Sequence, residues 1–355
     1  MALLSGQLQA EAAPNYTPTI PSGYVGKVVL HVGYGTTPDQ IAFQLRGEEY
    51  SDDASVREMR VRGDRFYFID DVGETIKQYR SPGALVWETK RLENITFYDV
   101  APDGSIYVVW GAGVGQLSRL SSQGKVVWTK TFDQIEEKLN KLGINPAVNQ
   151  FGYLDYTPLG PVIVISHFGG TEGSGKELSV LFDRRGEPVR VLPGNVVGRG
   201  GLVCDFNIST KRLFDTAVPC CDAKGRRVGE VRLDLGSNKE AHLRGSPRFE
   251  RILPDVANGF VGMAAAKLPS RVTVLPAGPG RDHDLDTPFE RVMWRFDDQG
   301  KLNEEWRFVM SPFEHTTVTS ELVVGEDGSV YHLSFGKSGI DVTRYSKGTK
   351  GGARK

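Results

Sequence analysis

Short runs of alternating aromatic and aliphatic residues, each set off by a glycine turn, organise this chain. "VRGDRFYFID" (61–70) and "APDGSIYVVW" (101–110) each read as a turn followed by a half-buried strand. Downstream of them lie "SPGALVWET" (81–89) and "SQGKVVWTK" (122–130), each with a glycine turn, an aliphatic run and a Trp four residues after the glycine. Gly63 to Gly83 is 20 residues, and so is Gly104 to Gly124. Turn glycines at this regular spacing between short strands predict antiparallel hairpins, two to a unit.

The unit recurs. "TPLGPVIVIS" and "DRRGEPVRVL" make a third copy on Gly160 and Gly186. "NISTKRLFDTAV" and "DAKGRRVGEVRL" make a fourth, with Thr210 standing in for the first turn glycine. A fifth uses Gly259 and Gly300, and a sixth begins on Gly328 and Gly348. First turns at 63, 104, 160, 210, 259 and 328 give steps of 41, 56, 50, 49 and 69 residues. Four-strand units at such a period predict an all-β chain, a six-bladed β-propeller. The sixth copy lacks its last strand, whereas "GKVVLH" (26–31) matches "GKVVWT" (124–129) almost residue for residue. The N-terminal strand is therefore expected to complete the last blade, leaving no open sheet edge.

The turns "VAPDGSIYVVW" and "VVGEDGSVYHLS", with the hairpin "FIDDVGETIKQYRSPG", resemble the NHL-repeat group of six-bladed propellers. The resemblance covers roughly residues 23–348 and implies the architecture, not an activity. Residues 1–22 read as a flexible N-terminal segment, in which Ala10-Glu11-Ala12 is like the end of a secretory signal, and residues 349–355 as a disordered basic tail.

Within each unit the turns joining first to second and third to fourth strands are tight. Long insertions fall on the other connections, at 131–150, 167–177 and 268–288. Such segregation predicts one decorated face over a rigid scaffold. The first insertion contains a short helix, expected to be capped by Asp133 with Glu136 in capping-box position and to end at Gly143. Its stripe of Ile135, Leu139 and Leu142 is expected to pack on the propeller.

With 43 basic and 44 acidic side chains, no global field draws the chain to nucleic acid, and no segment approaches the roughly 18 apolar residues of a membrane span. Cys204, Cys220 and Cys221 have neither a CxxC spacing nor an even number, so buried free thiols are the expectation.

Candidate chemistry comes from three patterns. Five residues before the first turn glycine, or its stand-in, lie Glu58, Asp99, Asp155 and Asp205; Asp255 precedes Gly259 by four and Glu321 precedes Gly328 by seven. Six acids on innermost strands point either to Ca²⁺ held at the channel or to hydrogen bonds with the neighbouring blade's backbone. The loop "GRDHDLDTP" (280–288) carries Asp282, Asp284 and Asp286 around His283, although Thr287 stands where an EF-hand needs glycine. On the decorated face, His167, Lys176, Asp282, His283, Asp284 and His315 are ligand candidates. "HFGGTEGSGKEL" (167–178) has the glycine-lysine spacing of a phosphate loop, but Glu177 follows Lys176 and the chain continues as a strand. "GAGVGQ" (111–116) likewise precedes a strand, not a helix.

No GxSxG elbow or HExxH is present. The expectation is a monomeric, extracytoplasmic, non-enzymatic binding or scaffold propeller that recognises a protein, peptide or glycan through its long-loop face. The alternative is a Ca²⁺-dependent, lactonase-like hydrolase or lyase at the channel mouth.

Overall fold

The computed structural model describes residues 18–42, 56–111, 115–144, 146–168, 175–198, 200–206, 213–244, 247–256, 258–267, 289–309, 321–336 and 338–348. It is a six-bladed propeller of four-stranded antiparallel blades. A first strand, β1 (Tyr24–Gly33), precedes blade one, which comprises β2 (Val56–Arg62), β3 (Arg65–Asp70), β4 (Thr75–Arg80) and β5 (Ala84–Glu88). Blade two is β6 (Phe97–Val100), β7 (Ile106–Trp110), β8 (Gln116–Leu120) and β9 (Val126–Thr131). Blade three is β10 (Pro146–Thr157), β11 (Gly160–Phe168), β12 (Gly175–Phe182) and β13 (Pro188–Val191). Blade four is β14 (Val196–Val197), β15 (Val203–Cys204), β16 (Val218–Cys221) and β17 (Arg227–Val231). Blade five is β18 (Arg248–Pro254), β19 (Phe260–Lys267), β20 (Phe289–Phe296) and β21 (Leu302–Val309). Blade six is β22 (Leu322–Val324), β23 (Val330–Phe335) and β24 (Gly339–Lys347), completed by β1.

The expected closure is present. β1 runs antiparallel to β24 from Tyr24↔Lys347 to Gly33↔Gly339, with one bulge between Val28 and Leu30. Leu30 and Val32 are buried with Val56, Met59 and Phe66 of blade one, so the closing strand also fills the seam to the next blade. Full burial of such side chains stabilises by roughly 1.5–3 kcal/mol each. The Pro82–Gly83 turn of blade one meets β1 directly. His31 donates its N–H to the Pro82 carbonyl at 3.0 Å, and a Cβ on Gly83 would lie 2.3 Å from the His31 carbonyl oxygen.

The recurring Trp has a structural role between blades. Trp87 of blade one donates its indole N–H to the Ser122 carbonyl in blade two, and Trp128 of blade two does the same to Arg184 in blade three. Each ring lies over the turn glycine of the following blade, so a Cβ at Gly124 or Gly186 would fall 2.7 or 2.4 Å from it. These glycines, with φ of 74° and 75°, are required both by the turn and by the ring above them.

Blade four departs from the expected register. Its first turn is Gly198–Leu202, where Gly198 donates to the Leu202 carbonyl and Gly201 has φ 77°. It is not at Thr210, which lies outside the described residues. The true step from Gly160 to Gly201 is 41 residues, the same as from Gly63 to Gly104. Two consequences follow. Asp205 falls after the second strand of its blade, away from the innermost one. Cys204 and Cys220 become directly opposed partners on β15 and β16, and they form a disulfide with Cα atoms 4.2 Å apart. The expectation of free thiols is thereby corrected; only Cys221 is free. Because the bond closes a 16-residue separation, Cys204→Ser/Cys220→Ser is expected to lower stability by about 3 kcal/mol. Urea unfolding should show a lower midpoint with little change in slope, and added reductant should no longer shift it.

The helix α1 (Phe132–Lys141) forms as expected, but it starts two residues earlier than the sequence suggested. Thr131, not Asp133, is its N-cap, and the Gln134 side chain accepts the Thr131 N–H at 3.0 Å. Beginning there lets Phe132 join Ile135 and Leu139 as buried residues packed with Phe151 of blade three. Gly143, at φ 77°, follows the helix end.

On β23, His332 stacks on Phe308 with ring centroids 4.3 Å apart, and burial pushes its imidazole down to about 4. The unfolded chain binds a proton near pH 6.5 that the folded state refuses, so this group's contribution is intact above pH 6.5 and lost as pH falls toward 4. The loss is at most about 3 kcal/mol. Stability curves from pH 7 to pH 4 should be less steep for His332→Gln than for the wild type, whatever their absolute levels.

Candidate functional site

All six innermost strands face a central cavity of about 520 Å³. By the strand order, the turns between first and second strands end on one face of the ring, and the long connections on the other. Pro102, Pro158 and Glu326 lie on those tight turns and line the cavity, so it reaches the tight-turn face.

Arginines partner five of the six acids singled out from the sequence. Glu58 is 3% exposed and pairs with Arg60, which also donates through Nε to Asp99 Oδ1 at 3.2 Å. Asp99 accepts further bonds from the backbone N–H of Val100 at 2.8 Å and of Tyr156 in the next blade at 2.6 Å. Asp155 pairs with Arg251, whose guanidinium lies 5.5 Å from the Tyr153 ring centroid. Asp255, immediately after β18, takes a two-pronged bond from Arg295 with both distances 2.9 Å. Glu321, immediately before β22, is bound by Arg291 at 3.0 and 3.3 Å, and Arg291 also pairs with Glu250.

These carboxylates occupy different heights. Asp255 lies at the tight-turn end of its strand and Glu321 at the opposite end, because the sequence offsets of blades five and six differ from the other three. Asp205 is off the innermost strands altogether. Among the described residues, no three His, Cys, Asp or Glu side chains come together as a metal-holding group.

Burial sets the electrostatics of the ion pairs on and behind the channel wall. It pushes the Glu58 carboxyl above its usual range, against the pull of Arg60 and Arg251. Burial disfavours the Arg60 cation too, but Glu58 and Asp99 outweigh it and hold the guanidinium charged. Glu321 is pushed up to about 7 by burial, with Arg291 opposing and Glu250 adding to the rise. Glu58 and Arg251 sense each other across the channel, as do Arg60 and Asp155, so charges from blades one, three and five share one field.

The arginines were missed in the sequence, although a local sign was available. Arg60 and Asp99 are 39 residues apart, close to the step from blade one to blade two, whereas Arg295 and Asp255 both belong to blade five. Of the loop-face candidates, His167 and Lys176 are direct partners across β11 and β12, beside the connection at 169–174. Asp282, His283, Asp284 and His315 lie outside the described residues.

No protein-family model and no curated protein matches the chain. Among solved structures, it is similar to a member of the DUF4221 family from Bacteroides vulgatus, with 11% identity, a TM-score of 0.48, and 93% of this chain and 98% of that one covered. It is also similar to the PQQ-bound form of an aldose sugar dehydrogenase from Streptomyces coelicolor, with 12% identity, a TM-score of 0.40, and 92% and 100% covered. A third is the major allergen Mala s 1 of Malassezia sympodialis, with 12% identity, a TM-score of 0.38, and 82% and 92% covered. At these levels none of the three bears on what the chain does.

Proposed function

We propose that this chain is an NHL-like, non-enzymatic binding or scaffold propeller that works outside the cytoplasm and recognises a protein, peptide or glycan on its long-loop face. The observation that carries this reading is the division of the connections. Two residues separate β2 from β3 and β10 from β11, whereas residues 268–288 separate β19 from β20, and the segment containing α1 separates β9 from β10. Rigid strands with variable loops gathered at one end are the arrangement that binding propellers exploit. The Cys204–Cys220 disulfide supports an oxidising compartment, and no helix among the described residues is long and apolar enough to cross a membrane.

The test is a paired exchange. Residues 169–174 and 268–288 are replaced, separately and together, by Gly-Ser linkers, and each protein is screened on immobilised glycans and peptides. Ligands bound by the wild type and lost on loop exchange, with unchanged melting, support the reading; retention of all binding in the double exchange overturns it. Melts in Ca²⁺ and in chelator address the alternative. A Ca²⁺-dependent rise that vanishes in Asp155→Asn would favour the metal-dependent hydrolase over the binding module.

A further inference from the structure

We propose that the tight-turn end of the central channel is a second binding site, which takes a small carboxylate carrying an apolar body. The inference does not rest on the long-loop reading, because the two sites lie on opposite faces.

The first ground is size. A cavity of about 520 Å³ lies within the roughly 300–1,000 Å³ typical of small-molecule sites. The second is an imbalance of hydrogen-bonding groups along its wall. A guanidinium carries five N–H donors. Among the described residues, Arg251 spends one of its five, on Asp155. Arg62 spends two, through Nε on the Val100 carbonyl at 2.8 Å and through Nη1 on Glu326 at 3.2 Å. Asn195 accepts the Phe206 N–H on Oδ1 at 2.7 Å, which leaves its NH₂ to donate. On the acceptor side Asp99 already takes three bonds. The other two wall carboxylates, Asp155 and Glu326, each accept one bond from these arginines, so three guanidiniums face three acids. At about four acceptor positions to a carboxylate, the open donors still outnumber the open acceptors, and an acceptor-rich carboxylate complements them.

The third ground is the apolar surface between the arginines. Val162, Val164, Val196, Val197 and Ile252 line the same cavity. A carboxylate alone would leave that surface wet, whereas an aliphatic or aromatic body would cover it. Every one of these residues is on a strand or at its end, so the site is held ready without a loop having to close.

Calorimetric titration with octanoate and with its neutral analogue octanamide tests the proposal. Octanoate is expected to bind one per chain with a Kd below roughly 1 mM, and octanamide at least about tenfold more weakly. Arg251→Gln should weaken octanoate at least about tenfold and leave octanamide unchanged. Because that variant strands Asp155, Arg251→Gln/Asp155→Asn is measured beside it, and the same loss is expected in a protein with an intact charge balance. Val164→Trp fills the cavity with both arginines in place and should abolish octanoate binding. The proposal is overturned by any of three results: no octanoate heat from folded wild type at about 10 mM, equal affinity for octanoate and octanamide, or undiminished binding in folded Val164→Trp.

Discussion

Val32→Asp is expected to cost more than about 4 kcal/mol and to leave little folded protein at ambient temperature. Val32 is 2% exposed on the closing strand, packed in the seam between blades six and one. A carboxylate there would be buried among the apolar side chains of the seam, and a domain's whole stability is only about 5–15 kcal/mol. Val28 offers a control on the same strand. It is 55% exposed, and Val28→Asp should change stability by less than about 0.5 kcal/mol. Urea midpoints for the two variants measure the difference. Equal, small effects would mean that β1 adds little to the ring and that closure is cosmetic.

The second large effect is expected at Arg295, whose guanidinium joins two blades. It holds Asp255 with two bonds, reaches Glu304 at 3.1 Å and donates to the Gly328 carbonyl of blade six at 3.2 Å. Burial works against its charge, but Asp255 and Glu304 raise its proton affinity above the ordinary arginine value. Arg295→Met should therefore cost about 3–5 kcal/mol, because it leaves Asp255 charged and buried without its guanidinium, held by the Val256 N–H at 2.6 Å. Arg295→Met/Asp255→Asn should recover a large part of that loss, since a buried ion pair adds little beyond its own desolvation. A double-mutant cycle in urea reads the coupling directly. A double variant as unstable as the single one would show that the span from Glu304 to Gly328, not the charge on Asp255, is what matters.

The architecture was legible because its signals are local. Gly63, Gly104, Gly160, Gly259 and Gly328 each punctuate a hairpin, and "GKVVLH" carries the pattern of a fourth strand. Blade four was misjudged for a local reason too: "GRGG" (198–201) supplies the tight turn, but "NISTKRLFDTAV" resembles the turn and strand of the other copies and points to Thr210, nine residues later. The disulfide was hidden by the odd cysteine count and by that register, since Cys204 and Cys220 oppose each other only when the turn is at 198–202. The channel was harder. Acids were visible as a repeating position, but apart from Glu58 and Arg60 on β2 their partners are arginines on other strands, as with Arg251 and Asp155, which are 96 residues apart. A period reveals which residues recur, and only the closed ring reveals which of them meet. Trp87 and Trp128 show the same limit, because each acts on the blade after its own.

The pairing of β1 with β24 also constrains how the chain reaches its folded state. Tyr24 must find Lys347, so the joining loop spans 347 − 24 = 323 residues. Closing a loop of that length costs about 5 kcal/mol of chain entropy, against roughly 1–2 kcal/mol for a hairpin turn. During synthesis β1 emerges first and its partner last, so for most of translation an apolar strand waits with an unfilled edge. Closure of this ring thus waits for β24.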